Sequence, residues 1–151
     1  MADPAAEAGA DPVRHVLFRA AGERFALPLA SVREVVVPQP PFARVPRASE
    51  AVRGVMNLRG RVLPVVDLAP LVGLPPQPLV GGQGQVLVLE REKRSLGLLI
   101  AQVIGVEPVG VPPPGADRVV RGVVVIKGAA VSVLAPDGLA EATDGLFGGG
   151  G

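Results

Sequence analysis

The sequence contains no cysteine. Disulfides, thiol catalysis and thiolate metal sites are therefore excluded. Tryptophan and tyrosine are also missing, and only four phenylalanines are present. Valine and leucine must fill the core, which favours β structure wherever valine dominates. Charge of one sign is lacking too: 15 Lys and Arg stand against 14 Asp and Glu, for a net charge of +1. A nucleic-acid binder carries a basic face interleaved with aromatic stacking residues, so no direct nucleic-acid binding is expected. No apolar run reaches the roughly 18 residues that cross a bilayer, so no membrane insertion is expected. The opening stretch MADPAAEAGADPVR is small and acidic. It lacks the basic start and apolar centre of a secretory leader, and a cytoplasmic location is the expectation.

Catalytic side chains are scarce as well. The single histidine, His15, lies in a strand-like run. A Ser–His–Asp arrangement would need it as base, and Ser31, Ser49, Ser95 and Ser132 lie in no nucleophile motif. No cluster of His and carboxylates has metal-ligand spacing. The GGQG segment lacks the lysine of a phosphate loop. Glu34 and Asp67 are conceivable as paired carboxylates, but Asp67 opens DLAPLVG and is better explained as a helix cap. No enzyme, no cofactor and no metal site is expected.

What is present is strand-like. HVLFRA and RFALPL flank the turn AGER and form a hairpin. ASVREVVV (30–37) continues as a helical turn or strand, stopped by PQPP. SEAVRG (49–54) suggests one helical turn capped by Ser49. GVMN and RVLPVV are strands about the turn NLRGR, and DLAPLVG is a short helix. LPPQPLVGGQG (74–84) is a linker rich in Pro and Gly. The pattern then restarts with QVLVLE, SLGLLI, AQVIGVEPV and VVRGVVVIKGAAVSVL, ending in the helix PDGLAEA. Residues 1–12 read as a disordered tail, 13–140 as the folded domain and 141–151 as a flexible tail.

The restart is an internal repeat. Arg53-Gly54-Val55 matches Arg121-Gly122-Val123 at an offset of 68, and Gly60 matches Gly128 at the same offset. Phe25-Ala26-Leu27 matches Leu96-Gly97-Leu98 at an offset of 71, as Val32 matches Val103. Two similar β units of about five strands each are expected, too small to stand apart and packed through their apolar faces. The turn Asn57-Leu58-Arg59-Gly60-Arg61 is the most functional-looking feature. Gly60 accepts positive φ, Asn57 caps the turn through its side chain, and arginine suits protein interfaces. In a strand, Val32 and Glu34 share a face.

GVMNLRGRVLPVVDL resembles the signature of CheW-like domains, the coupling proteins of bacterial chemosensory arrays. SVREV resembles the family's glutamate-bearing segment, and SLGLLIAQVIGV resembles its second-half strand pair. The resemblance implies an all-β fold: two SH3-like five-stranded β-barrel subdomains packed on a shared apolar core, with short helices. It implies a non-catalytic adaptor. The partners would be the signalling tip of a methyl-accepting chemoreceptor, lodged as a helical hairpin between the barrels, and the regulatory domain of a CheA-type histidine kinase. Other CheW-like proteins are further implied partners, in cytoplasmic chemosensory clusters. Val32, Glu34, Asn57 and Arg59 fall at family positions tied to receptor binding or to the architecture of that groove. Departures exist. Ala101-Gln102-Val103 lacks the usual acid, Ala69 replaces a basic residue, and the run before the last helix reads Val133-Leu134-Ala135-Pro136-Asp137. Only 14 residues separate Val106 from Arg121; family members have about a dozen more there, and a shorter surface loop leaves a fold intact. The alternative expectation is thus a divergent accessory that binds receptor and tunes clustering but has lost the kinase.

Overall fold

The computed structural model describes residues 11–38, 42–46, 48–78 and 84–146. Ten strands form two five-stranded sheets. Sheet I has the order β3-β6-β7-β5-β4 and sheet II the order β8-β1-β2-β10-β9. The strands are β1 (Pro12–Ala20), β2 (Glu23–Pro28), β3 (Val32–Val36), β4 (Val52–Leu58), β5 (Arg61–Asp67), β6 (Gln85–Arg91), β7 (Arg94–Ile100), β8 (Gln102–Gly110), β9 (Val120–Ile126) and β10 (Ala129–Leu134). A 3-10 turn spans Leu29–Ser31; helix α1 is Leu68–Leu71 and helix α2 is Pro136–Asp144.

The repeat is present, but the sheets are not the two halves of the sequence. Hairpin β1–β2 joins the second half's β8, β9 and β10, while hairpin β6–β7 joins β3, β4 and β5. The connections explain the exchange. Only Ala101 separates β7 from β8, and its N–H donates to the Arg19 carbonyl on β1 at 2.8 Å. A single residue cannot make the reversal that a hairpin needs, so β8 must leave the sheet of β7. The 3-10 turn passes β3 out of the sheet of β2 in the same manner.

Pseudo-symmetry extends to register. The parallel pair β5–β7 aligns Val65 with Gly97, and β10–β2 aligns Val133 with Ala26, related by the same offsets of 68 and 71. Bulges recur as well: Arg33 and Ile104 are equivalent extra residues, as are Arg53 and Arg121. Each hairpin turn places a non-glycine residue at positive φ in its first position, as tight two-residue turns demand.

Three apolar clusters hold the fold. Leu63, Val65, Val86, Val88 and Leu99 fill the inside of sheet I, with Val36, Met56 and Leu58 against them. Leu17, Ala26, Val109, Val131 and Val133 fill sheet II, with Val124 and Ile126. All five strands of a sheet point residues inward, so each sheet curls into a small barrel. Between the barrels lies the third cluster, which includes Phe18, Phe25, Leu27, Leu87, Leu98, Ile100 and Leu139. Phe18 and Phe25 stack there at 5.9 Å between ring centroids. Alternation along each strand divides the residues between the two environments, so neither barrel is complete without the other.

Several boundaries differ from the sequence expectation. Residues 49–54 form no helix: β4 starts at Val52, and Ser49 Oγ accepts from Ala51 N in a turn that leads into it. Gly54 has φ +134°, and a Cβ there would lie 2.5 Å from the Ala43 carbonyl, so the chain needs glycine at this close approach. Pro12 already pairs with Gly110 in the sheet, and α2 runs to Asp144 with Ala142 and Thr143 buried, so 141–144 are helical and not tail. Residues 1–10, 79–83 and 147–151, within the expected tails and linker, lie outside the described residues.

Candidate functional site

The β4–β5 turn is built as its sequence indicates. Arg59 (φ 51°) and Gly60 (φ 83°) adopt the left-handed pair of a tight hairpin, and Asn57 Oδ1 accepts from Gly60 N at 2.8 Å. This fixes the direction of the Arg59 side chain. Its guanidinium grips Glu34 with two donors, Nη1 to Oε1 at 2.9 Å and Nη2 to Oε2. The Arg59 guanidinium holds the Glu34 carboxyl below its ordinary range through these hydrogen bonds, with its charge adding to the effect. Glu34 lies on β3 and Arg59 follows β4, the two edges of sheet I. The ion pair is therefore a clasp across the open side of the barrel. Arg33 pairs with Glu90 beside it.

A matching clasp closes sheet II. Lys127 follows β9 and its Nζ reaches Glu107 Oε1 on β8 at 2.6 Å. The pseudo-equivalent of Arg59 is thus a cation doing the same closure, which sequence reasoning missed. The acid sits two residues beyond the position equivalent to Glu34, so the repeat alignment hides it.

Two clefts open near the first clasp. One of about 560 Å³ lies between the barrels, with Leu27, Leu89, Leu96 and Leu139 along it and charged Arg91 and Glu141 at its rim. The other, of about 370 Å³, is lined by Arg33, Glu34, Arg59, Arg61 and Lys93. Ser95 lines both, so the polar cleft adjoins the apolar one. Of the four residues singled out by sequence, Glu34 and Arg59 meet directly, and Asn57 holds the turn that brings them together. Val32 stands apart from them. The bulge at Arg33 interrupts the alternation that would have put Val32 and Glu34 on one face, and Val32 packs against the inter-barrel cluster.

Asp67 does more than cap. It is fully buried at 0 % exposure. Its Oδ1 accepts from Ala69 N at 3.0 Å and from Gln77 Nε2 at 2.7 Å, and its Oδ2 accepts from Gln77 N at 2.8 Å and from Arg53 Nη1 at 3.1 Å. Gln77 Nε2 also donates to the Leu99 carbonyl at 2.8 Å, and Arg53 Nη1 donates to the Gln77 carbonyl at 2.7 Å. A buried carboxylate needs such saturation. The network fastens the segment after α1, expected to be a linker, onto β4, β5 and β7. The available signal was the lone acid at the end of an apolar run; nothing in LPPQP marked Gln77 as its partner.

The site thus comprises two clasped barrels, a shared core and an inter-barrel cleft. Residues 14–144 match the family model described as CheW-like domain, and the chain belongs to this family of scaffold and adaptor proteins. It is 30% identical over 132 residues to the chemotaxis protein CheW of Rhizobium meliloti, covering 81% of this chain and 83% of that one. It is 37% identical over 90 residues to protein PilI of Pseudomonas aeruginosa, covering 60% of this chain and 49% of PilI. Over 88 residues it is 33% identical to a probable chemotaxis protein CheW of Rhizobium etli, 56% of whose length is matched. The chain thus spans about half the length of these last two relatives. The crystal structure of the scaffolding protein TtCheW from Thermoanaerobacter tengcongensis superposes with a TM-score of 0.70 at 25% identity, covering 82% of this chain and 89% of that one.

Proposed function

We propose that the chain is a non-catalytic chemosensory adaptor that binds the signalling tip of a methyl-accepting chemoreceptor and couples it to the regulatory domain of a CheA-type histidine kinase. The observation that carries this reading is the inter-barrel cleft with the Glu34–Arg59 clasp at its polar neighbour. A receptor tip is helical, and an amphipathic helix docks by laying apolar anchors into such a groove. In this account the half-buried Leu89 and Leu96 receive the apolar face, Glu34 and Arg59 set the polar edge, and Asn57 holds Arg59 in place. Val32 acts from beneath, through its contact with the shared core. The protein works in chemosensory clusters in the cytoplasm; no helix among the described residues is long and apolar enough to cross a membrane.

A second reading draws on the segment between β8 and β9, which contains Pro112, Pro113 and Pro114 and no strand. If that region supplies the kinase contact, its shortness leaves an accessory that binds receptor alone. Charge reversal tests the part common to both readings. Arg59→Glu sets two carboxylates face to face at an exposed site, which leaves the core untouched. Receptor-tip affinity is expected to fall about tenfold or more with an unchanged circular dichroism spectrum. Unchanged affinity in a folded variant refutes the role given to the clasp.

A further inference from the structure

The two barrels treat equivalent edges differently. On β4, the outer edge of sheet I, Ala43 N donates to the Val55 carbonyl at 3.1 Å and Val55 N donates to the Ala43 carbonyl at 2.9 Å. Phe42 enters the sheet I core beside it. The chain therefore covers this edge with an extended segment of its own. These bonds also show that the N–H and C=O of Val55 point away from β5. On β9, the outer edge of sheet II, Val123 takes the place of Val55: it pairs with Ser132 as Val55 pairs with Pro64, two residues after an equivalent bulge residue. The N–H and C=O of Val123, and by alternation those of Val125, point outward. Among the described residues none of them has a backbone partner from another segment.

The local chain does not supply the missing cover. Pro112 occupies the spot beside Gly122 that Phe42 and Ala43 occupy beside Gly54. Proline has no amide hydrogen, so Pro112-Pro113-Pro114 offers no donor for a bridge. The Arg121 Nε donates to the Pro112 carbonyl at 2.5 Å and holds the segment there. Val123 and Val125 stay 61% and 74% exposed, which leaves an apolar edge with unpaired main chain. Such an edge is a template for strand addition.

Charge selects the occupant. Lys127 is already held by Glu107 at one end of the open stretch. At the other end stand Arg121, whose Nε alone is engaged, and exposed Arg118, and neither has a salt-bridge partner among the described residues. A strand that is acidic at the end facing Arg118 and Arg121 complements these two cations. We propose that the β9 edge at Val123 and Val125 binds an extended segment of a partner protein, apolar in alternation and acidic where it meets Arg121, by adding it as a sixth strand to sheet II. This site lies outside the inter-barrel cleft and does not depend on receptor binding there.

The test uses the full ¹⁵N-labelled chain and a synthetic peptide, Val-Thr-Val-Thr-Val flanked by two glutamates at each end. The peptide is expected to slow amide exchange at Val123 and Val125 by about tenfold or more at on the order of 1 mM. Exchange at Val124, whose amide already faces β10, stays unchanged. A peptide N-methylated at the pairing amides is expected to lose binding, with no change to the protein. Val125→Thr is expected to retain it. Equal binding of the N-methylated peptide overturns the proposal, because main-chain pairing is then not the mode. Absence of protection at Val123 and Val125 overturns it as well. So does protection of the same amides without peptide at rising protein concentration, which makes a second copy the occupant.

Discussion

Replacing Asp67 by asparagine changes one atom in a buried network that offers no room for the change. One carboxylate oxygen becomes an NH₂ group. If it takes the Oδ2 position it faces two donors, Gln77 N–H and Arg53 Nη1. If the amide flips, it faces Ala69 N–H and Gln77 Nε2. Either way two donors lose their acceptor and meet a donor. Each buried unsatisfied group costs about 1–3 kcal/mol, and the guanidinium of Arg53 loses its counter-charge. A destabilisation of about 3–4 kcal/mol is expected for Asp67→Asn. For a chain of this size each kcal/mol moves the midpoint by roughly 2–4 °C, so Tm should fall by about 10 °C. Urea unfolding followed by circular dichroism measures this directly, with an unchanged m-value. Gln77→Ala should lose about 1–3 kcal/mol, since its main-chain N–H still reaches Asp67. The two losses should not add, because the residues share one network. A loss below about 1 kcal/mol for Asp67→Asn would refute the latch.

Other expectations are briefer. Fragments 11–78 and 84–146 should each be unfolded alone, and mixing them should restore the native circular dichroism spectrum, because each barrel takes strands from both; cooperative unfolding of either fragment alone contradicts the exchange. Leu98→Ala, at the centre of the inter-barrel cluster, should destabilise by about 2–5 kcal/mol in urea titration. His15 is buried, its Nδ1 bonds the Val13 carbonyl at 2.7 Å, and its Nε2 has no partner among the described residues. Burial lowers its pKa below the usual 6.5, partly opposed by that hydrogen bond. The folded state then binds fewer protons, so the His15 contribution is complete above about pH 6.5 and is lost as pH falls through the depressed folded value. Stability of His15→Gln should accordingly vary less than wild type between about pH 7 and 5 in urea titrations; equal slopes refute it.

Much of this fold was legible because local signals agreed. The turns AGER, NLRGR and REKR mark three hairpins, Asp67 before an apolar helix marks a cap, and the offsets of 68 and 71 give the repeat. The exchange of hairpins was less legible: a repeat specifies which segments are alike, not which copy pairs with which. A clue lay in SLGLLIAQVIGV, an apolar run with no turn residue, which is one path continuing from β7 in one sheet to β8 in the other. The pair Glu34–Arg59 was foreseeable as a candidate from residue types, while its contact depends on barrel closure. Bulges such as that at Arg33 carry no residue signature, so the separation of Val32 from Glu34 could not be read. Gln77 was hidden for a similar reason, since its partners come from β4, β5 and β7.

The central claim is the adaptor role, and parallel titration tests it most directly. The purified chain is titrated calorimetrically with a chemoreceptor signalling-tip fragment and, separately, with the regulatory domain of a CheA-type kinase from the same organism. The account predicts binding to both, with the receptor arm weakened by Arg59→Glu. Binding to the receptor alone would replace the coupling role by the accessory one, and binding to neither would contradict the account.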